Sequence, residues 1–292
     1  MAKPKKISLA GAAYEIRVVG EKKQPLRDFY HGMIGLSWTN TLLVIGGAFL
    51  FVNALFALGY LATGGVKGAR PGSIADAFFF SVETMGTIGY GALYPESVAA
   101  NVLMVAESMT SLILTALATG LVFAKFSRPT ARVVFTRECV VSTWNGVPTL
   151  MLRMGNERGN QLVDVRIRAV ILRTERLAEG GTFYRMVDLK LSRSHALSLS
   201  RSWSVLHPID SHSPLYGATA ESLAAEEVEL QILIVGLDDT SMQMIHASHR
   251  YYANQILFDS RHADILTETD DGNLLLDLRK FHEVVPDPKP SA

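Results

Sequence analysis

Two long apolar stretches interrupt an otherwise mixed chain of 292 residues. The first, about residues 38–61, contains no Asp, Glu, Lys or Arg; the second, 98–126, holds Glu107 as its one acid and Lys125 near its end. Each supplies the roughly 20 residues that a membrane-crossing helix needs. Between them Pro71-Gly72 breaks the chain, and Ser73-Ile74-Ala75-Asp76 has the spacing of an N-terminal capping box with Asp in place of Glu, which predicts a short helix running to about Met85. Upstream, Leu26, Phe29, Tyr30 and Met33 recur at i, i+3, i+4 and i+7 behind Pro25. This spacing predicts an amphipathic helix on the membrane surface, although plain core packing produces the same pattern.

Beyond about Pro129 the period changes to two. Segments 138–143 and 149–154 flank Asn145-Gly146, a hairpin signal, with the loop expected to run on through Pro148. Val163, Val165, Ile167, Ala169 and Ile171 alternate with Asp164, Arg166, Arg168 and Val170, as in a half-buried strand. Gly180-Gly181 precedes a further strand at 183–191, and later strands are predicted at 228–235 and 274–278, the last entered by Asp271-Gly272. Such a series builds a β-sandwich. The expected organisation is therefore an N-terminal segment 1–37 with a surface helix, a two-span membrane domain 38–128 with a short helix between its spans, a β-sandwich 129–285, and a loose tail 286–292.

Composition agrees with a membrane protein that carries a large aqueous part, since 48% of residues are hydrophobic and 19% charged. The formal net charge of zero gives no reason to expect nucleic acid as a partner. Its distribution says more. Lys3, Lys5, Lys6, Arg17, Lys22, Lys23 and Arg27 precede the first span, Lys125, Arg128 and Arg132 close or follow the second, and the connecting segment has only Lys67 and Arg70. The positive-inside rule puts both termini in the cytoplasm, so the connecting loop enters from outside. No cleavable signal is expected, because Glu15 and Arg17 follow the basic start where an apolar run would be needed. Cys139 is the only cysteine, which excludes an intrachain disulfide.

That loop carries Thr87-Ile88-Gly89-Tyr90-Gly91. Rings of backbone carbonyls from four such loops can replace the hydration shell of K⁺. Glycine is the residue that reaches positive φ cheaply, which turning successive carbonyls toward one axis requires, and Gly89 and Gly91 fill that role. Carbonyls of Thr87, Ile88, Gly89 and Tyr90 with the Thr87 hydroxyl would form the ion sites, Ile88 and the Tyr90 ring would pack behind the loop, and a homotetramer is implied because one chain supplies a quarter of the cage. Glu83, on the last turn of the pore helix, is expected to brace the filter by hydrogen bonding or else to sit partly solvated near the outer mouth.

Along the second span Ser108, Ser111, Thr115, Thr119 and Val122 form a stripe that faces either water or another helix. Gly120 permits a bend there or close packing. Lys22, Lys23, Arg27, Lys125, Arg128 and Arg132 gather by sequence near the inner membrane surface, where each basic residue adds about 1 kcal/mol of attraction to anionic lipid. The same charges also serve as an orientation signal alone. His246 and His249 lack an acidic or cysteine partner that would complete a metal site. Neither a phosphate-binding glycine loop nor a nucleophile and base pair is present, so no enzyme and no organic cofactor is expected.

Phe79-Phe80-Ser81-Val82-Glu83-Thr84 before the filter motif, Lys125-Phe126-Ser127-Arg128-Pro129 closing the second span, and His207-Pro208-Ile209-Asp210 followed by Ser213-Pro214-Leu215-Tyr216-Gly217 resemble the inward-rectifier potassium channels, specifically the bacterial KirBac branch. The resemblance covers residues from about Arg27 to Glu283. It implies a homotetrameric, voltage-independent K⁺ channel of the bacterial plasma membrane. Each subunit would have a slide helix, two spans and a cytoplasmic immunoglobulin-like domain. Ser111 and Thr115 would line the cavity and Phe123 form the gate beside Gly120. Phosphoinositide would act at the basic membrane junction, and Mg²⁺ or polyamines as blockers. Leu93 stands where animal members carry an arginine able to pair with the residue matching Glu83, and neutral Thr115 stands where strong rectifiers place Asp or Asn. Two rival readings are a two-span channel gated by another cytosolic ligand, which for a nucleotide would need a strand, glycine loop and helix unit, and a non-conducting membrane-anchored β-sandwich receptor, which would have no use for the filter motif.

Overall fold

A computed structural model describes residues 5–8, 15–18, 30, 32–128 and 131–287 of the chain. They fall into two compact units, Glu21–Arg128 and Met1–Gly20 with Pro129–Ala292. Strands β1 (Lys5–Ser8) and β2 (Glu15–Val18) pair antiparallel and fall in the same unit as the residues from Pro129 on.

In the helical unit three serines start three helices. Ser37 caps the outer helix (Trp38–Thr63), Ser73 the pore helix (Ile74–Met85) and Ser97 the inner helix (Val98–Phe126), each hydroxyl accepting from the backbone N–H three residues on. This satisfies one of the donors a helix start leaves unpaired. The predicted capping box at Ser73 is only half formed: Asp76 turns its carboxylate to the Arg70 backbone and guanidinium, at 2.8 to 2.9 Å, instead of back to Ser73. Gly64, at φ 59°, ends the outer helix with its N–H on the Tyr60 carbonyl. The long helices have mean hydropathies of 2.3 and 1.7 and leave Leu43, Phe51, Leu58, Leu112 and Leu117 exposed, the composition of a surface that meets lipid. They contact the pore helix through Ala57, Tyr60, Ala77, Phe80 and Ala100, with the Tyr60 and Phe80 rings edge to face at 4.8 Å. Strands β3 (Val66–Lys67) and β4 (Tyr94–Pro95) pair across the ends of the connecting segment, and Lys67 reaches Glu96 at 2.9 Å. Of the expected slide helix, Tyr30 and 32–35 are helical; the remainder lies outside the described residues.

The β-rich unit is a sandwich of two five-stranded sheets. One is formed by β8 (Leu162–Arg176), β9 (Thr182–Asp188), β10 (His195–Leu199), β12 (Glu229–Asp238) and β13 (Gln243–Tyr252). The other contains β5 (Val133–Phe135), β6 (Cys139–Trp144), β7 (Val147–Asn156), β11 (Ser202–Pro208) and β14 (Ile256–Phe258), the last parallel to β6. Val165, Ile167, Ala169 and Ile171 of β8 and Leu230, Ile232 and Ile234 of β12 are buried with Cys139, Leu150, Leu152 and Met154 from the opposite sheet. Alternate positions turn outward, as a pleated strand covered on one face requires. Further ladders join β15 (Ser260–His262) to β18 (Val284–Pro286) and β16 (Leu266–Glu268) to β17 (Leu274–Leu276). Pro286, assigned by sequence to the tail, closes β18, whereas residues 288–292 lie outside the described ones.

Two sequence expectations change here. Asn145-Gly146 is a complete two-residue turn with both φ angles positive, at 49° and 78°, and Trp144 opposite Val147. Pro148 therefore lies in β7 opposite Thr143, a non-hydrogen-bonded position of the antiparallel ladder at which its missing N–H costs no bond to β6. In β8 the alternation slips. Asp164 has φ 49°, the register to β12 jumps between Val235 and Leu237, and Leu162 is buried where Val163 was expected. An extra residue on one strand of a pair reverses which side chains face the core.

Candidate functional site in the pore loop

The pore helix hands its chain to the filter motif through three backbone bonds. Gly86 N–H donates to the Val82 carbonyl at 2.8 Å, Thr87 N–H to Thr84 at 3.1 Å, and Ile88 N–H to Glu83 at 2.8 Å. From there φ alternates in sign: Thr87, Gly89 and Gly91 are positive at 56°, 61° and 79°, whereas Ile88 and Tyr90 are not. Inverting every second residue undoes the pleat, so that consecutive carbonyls can share one direction. Two of the three inverted positions are glycine, and the third, Thr87, is β-branched. A β-branched residue at positive φ is a true outlier, the kind of strain that collects at functional sites.

The expected filter supports are only partly found within one chain. Glu83 is half-buried, and among the described residues no hydrogen bond forms to its carboxylate; its main-chain carbonyl holds Ile88. Tyr90 is 75% exposed, so its ring does not pack behind its own loop. Leu93 packs into the apolar cluster around Tyr60 and Phe80.

The strongest contacts behind the filter were not foreseen. Glu107 is fully buried, and Tyr60 Oη donates to its Oε2 at 2.6 Å. Its Oε1 meets Ser81 Oγ, which also lies 3.0 Å from Asn53 Oδ1. Ser111, expected on the cavity wall, is instead buried, its hydroxyl donating to the Met85 carbonyl at 2.6 Å. The lone acid in an apolar span was the available signal, since a carboxyl at that depth requires partners.

Farther along the inner helix Thr115 and Phe123 are exposed, Phe123 at 71%, and among the described residues, the adjoining helix backbone aside, no heavy atom lies within 4 Å of where a Cβ on Gly120 would stand. Lys125 is engaged: its ammonium donates to the carbonyls of Ile34 and Leu36 and lies 5.6 Å from the Trp38 ring centre. A cation at those carbonyls suits the negative end of the helical turn at 32–35. Arg128 and Arg132 are exposed in their separate units, and Lys22, Lys23 and Arg27 lie outside the described residues.

In the sandwich, the His207 and Ser213 segments close one buried turn. His207 Nδ1 donates to the Lys190 carbonyl and its Nε2 accepts from Ser213 Oγ, both at 2.8 Å, while Ser213 Oγ accepts from Leu215 N–H. Burial pushes the His207 imidazole below its ordinary value. His246 and His249 lie on β13, where His249 stacks on Phe135 at 5.2 Å, and no cluster of metal-ligating side chains occurs among the described residues.

Two apolar spans, a short helix between them that ends in an alternating-φ Thr-Ile-Gly-Tyr-Gly loop, and an appended β-sandwich define a pore-loop cation channel. The model of the inward rectifier potassium channel transmembrane domain matches residues 12–129, and that of the inward rectifier potassium channel C-terminal domain matches 133–292. The chain is 43% identical over 283 residues to the inward rectifier potassium channel Kirbac3.1 of Paramagnetospirillum magnetotacticum, a match covering 97% of this chain and 96% of the relative. It is 29% identical to the human ATP-sensitive inward rectifier potassium channel 12, over 95% of this chain and 70% of the relative. With the inward rectifier potassium channel irk-1 of Caenorhabditis elegans it shares 26% identity, over 94% and 55% of the two chains. The chain belongs to the inward rectifier potassium channel family. It is an ion channel and not an enzyme, a two-span membrane protein with a β-rich cytoplasmic C-terminal domain, and its family assembles as tetramers.

Proposed function

We propose that four copies of this chain surround one axis and conduct K⁺ through carbonyls of Thr87, Ile88, Gly89 and Tyr90 together with the Thr87 hydroxyl. The observation that carries this reading is the alternation of φ through residues 87–91, which turns successive carbonyls to one side of the loop. The exposed Tyr90 ring supports the tetramer, because a neighbouring subunit is the natural source of its missing contacts. Thr115 lines the water-filled cavity below the filter. At the narrow end a ring of four Phe123 side chains blocks ions by dewetting, and Gly120 is the bending point. Both termini are cytoplasmic, in the bacterial plasma membrane. Arg128 and Arg132, with Lys22, Lys23 and Arg27, attract anionic lipid, phosphoinositide included. Lys125 contributes less, because its ammonium is held by two carbonyls. Neutral Thr115 gives Mg²⁺ or polyamine only weak purchase, so rectification is weak.

Uptake of Rb⁺ tracer into liposomes, with Ba²⁺ as blocker and with or without phosphoinositide, tests this reading. Ba²⁺-sensitive uptake that prefers Rb⁺ over Na⁺ is expected, and its absence under all conditions would favour a non-conducting receptor.

A further inference from the structure

Behind the filter, side chains from all three helices of the pore unit meet where solvent is absent. Asn53 and Tyr60 come from the outer helix, Ser81 from the pore helix and Glu107 from the inner helix, none more than 1% exposed. Their protons can be counted. The Asn53 amide is oriented from outside the group: its Nδ2 lies 2.8 Å from the Phe49 carbonyl, which can only accept. Its Oδ1 is therefore the atom turned to Ser81 Oγ at 3.0 Å. Ser81 Oγ thus stands between two oxygens, Asn53 Oδ1 and Glu107 Oε1, and it has one proton to give. Tyr60 spends its own proton on Glu107 Oε2. Were Glu107 a carboxylate, one of the two contacts at Ser81 would hold no proton, and a full charge would rest in an apolar interior.

We infer that Glu107 is an uncharged acid whose own O–H donates to Ser81 Oγ. The group then becomes one directed chain of hydrogen bonds: Tyr60 hydroxyl to Glu107, Glu107 to Ser81, Ser81 to Asn53, and Asn53 to the Phe49 carbonyl. Each oxygen in it is satisfied and no ion is buried. Ser81 lies one helical turn before Met85, whose carbonyl takes the Ser111 hydroxyl, so the inner helix grips the pore helix at two successive turns directly ahead of the filter. Glu107 is a positioning residue for the ion sites, and it adds no negative field of its own.

A primary amide keeps the carbonyl acceptor of a carboxylic acid and places an N–H where the acid has its O–H, with one further N–H, so Glu107→Gln keeps the chain of hydrogen bonds, its amide N–H replacing the acid O–H on Ser81. The tetramer carrying E107Q should retain Rb⁺ over Na⁺ preference within about twofold, whereas Glu107→Leu, which leaves the buried Tyr60 hydroxyl without its acceptor and Ser81 Oγ without its donor, should lose about tenfold or more. Infrared difference spectra of wild type against E107Q give a readout independent of conduction. At near-neutral pH the wild type should show the C=O stretch of a protonated carboxyl that E107Q lacks, and Ser81→Ala should shift that band by removing its acceptor. A carboxylate band in its place, or a selectivity loss in E107Q equal to that in E107L, would overturn the inference. Should E107Q fail to assemble, the wild-type band shifting in Ser81→Ala still supports the inference, and a wild-type spectrum without it overturns it.

Discussion

Replacing Gly89 with alanine isolates the backbone requirement of the filter from packing. Gly89 has φ 61°, and among the described residues, its two chain neighbours aside, no heavy atom lies within 4 Å of the position a Cβ would take. The new methyl therefore meets open space in its own subunit, and what it disturbs is conformation. A left-handed alanine costs about 1–2 kcal/mol relative to the right-handed form. Four subunits around one axis would each carry it, which multiplies to roughly 4–8 kcal/mol against the fully native ring, or about three to six powers of ten in its population. The least costly escape is rotation of the Gly89 peptide, which takes a carbonyl away from the ions. Gly89→Ala should therefore abolish selective Rb⁺ uptake into liposomes while the tetramer still runs as such on a native gel. Gly47→Ala, at an outer-helix glycine with equally open surroundings, should leave both unchanged. Wild-type Rb⁺ over Na⁺ preference in Gly89→Ala would refute the argument, since carbonyl geometry could not then depend on the inverted φ.

At the cavity, Thr115→Asp sets up to four carboxyls around the axis; at an effective dielectric near 20 and about 6 Å, each ionised one contributes on the order of 3 kcal/mol per blocker charge before screening. Even with mutual repulsion keeping some protonated, internal spermine should block outward current at tenfold or more lower concentration than in wild type, and equal block would mean that Thr115 does not face the pore. Phe123→Ala should wet the constriction and raise open probability several-fold in single-channel recordings; unchanged or lower opening would remove the phenyl ring from gating. In the cytoplasmic domain, burial, with repulsion from Arg153 and His282, pushes His262 down to about 4 from an ordinary 6.5. The unfolded chain thus takes up a proton that the folded one refuses, so stability holds above about pH 6.5 and falls as pH drops toward 4, by up to about 3 kcal/mol per chain. His262→Gln should flatten the fall in melting temperature of the detergent-solubilised protein between about pH 7.5 and 4.5; an unchanged slope would assign acid sensitivity elsewhere, His207 being next because burial lowers it in the same direction.

Some of this architecture lies in single residues and short periods, and was therefore legible. The spans follow from long apolar runs with almost no charge, and the pore helix from Ser73 and a preceding Pro-Gly break. Features that depend on contacts distant in sequence were not. The slip at Asp164 is invisible in β8 alone, because it is a property of its register with β12. Ser111 belongs to a polar stripe by helical spacing, yet the nearby Met85 carbonyl draws it inward, and Thr115 one turn later remains exposed. Lys125 counts toward a basic cluster until the carbonyls of Ile34 and Leu36 claim it. Glu107 was visible as an anomaly, but its partners come from helices that only the fold brings together.

The single thiol of the chain has a practical consequence. Cys139 is fully buried in the sandwich, and burial pushes it well above its ordinary value, so it offers almost no thiolate to a maleimide or methanethiosulfonate reagent. The native sequence is thereby already a silent background for site-directed labelling. A cysteine introduced at an exposed inner-helix position such as Leu117 would be the sole reactive site in each subunit, and a spin label or fluorophore there would report distances across the channel with the native cysteine left in place.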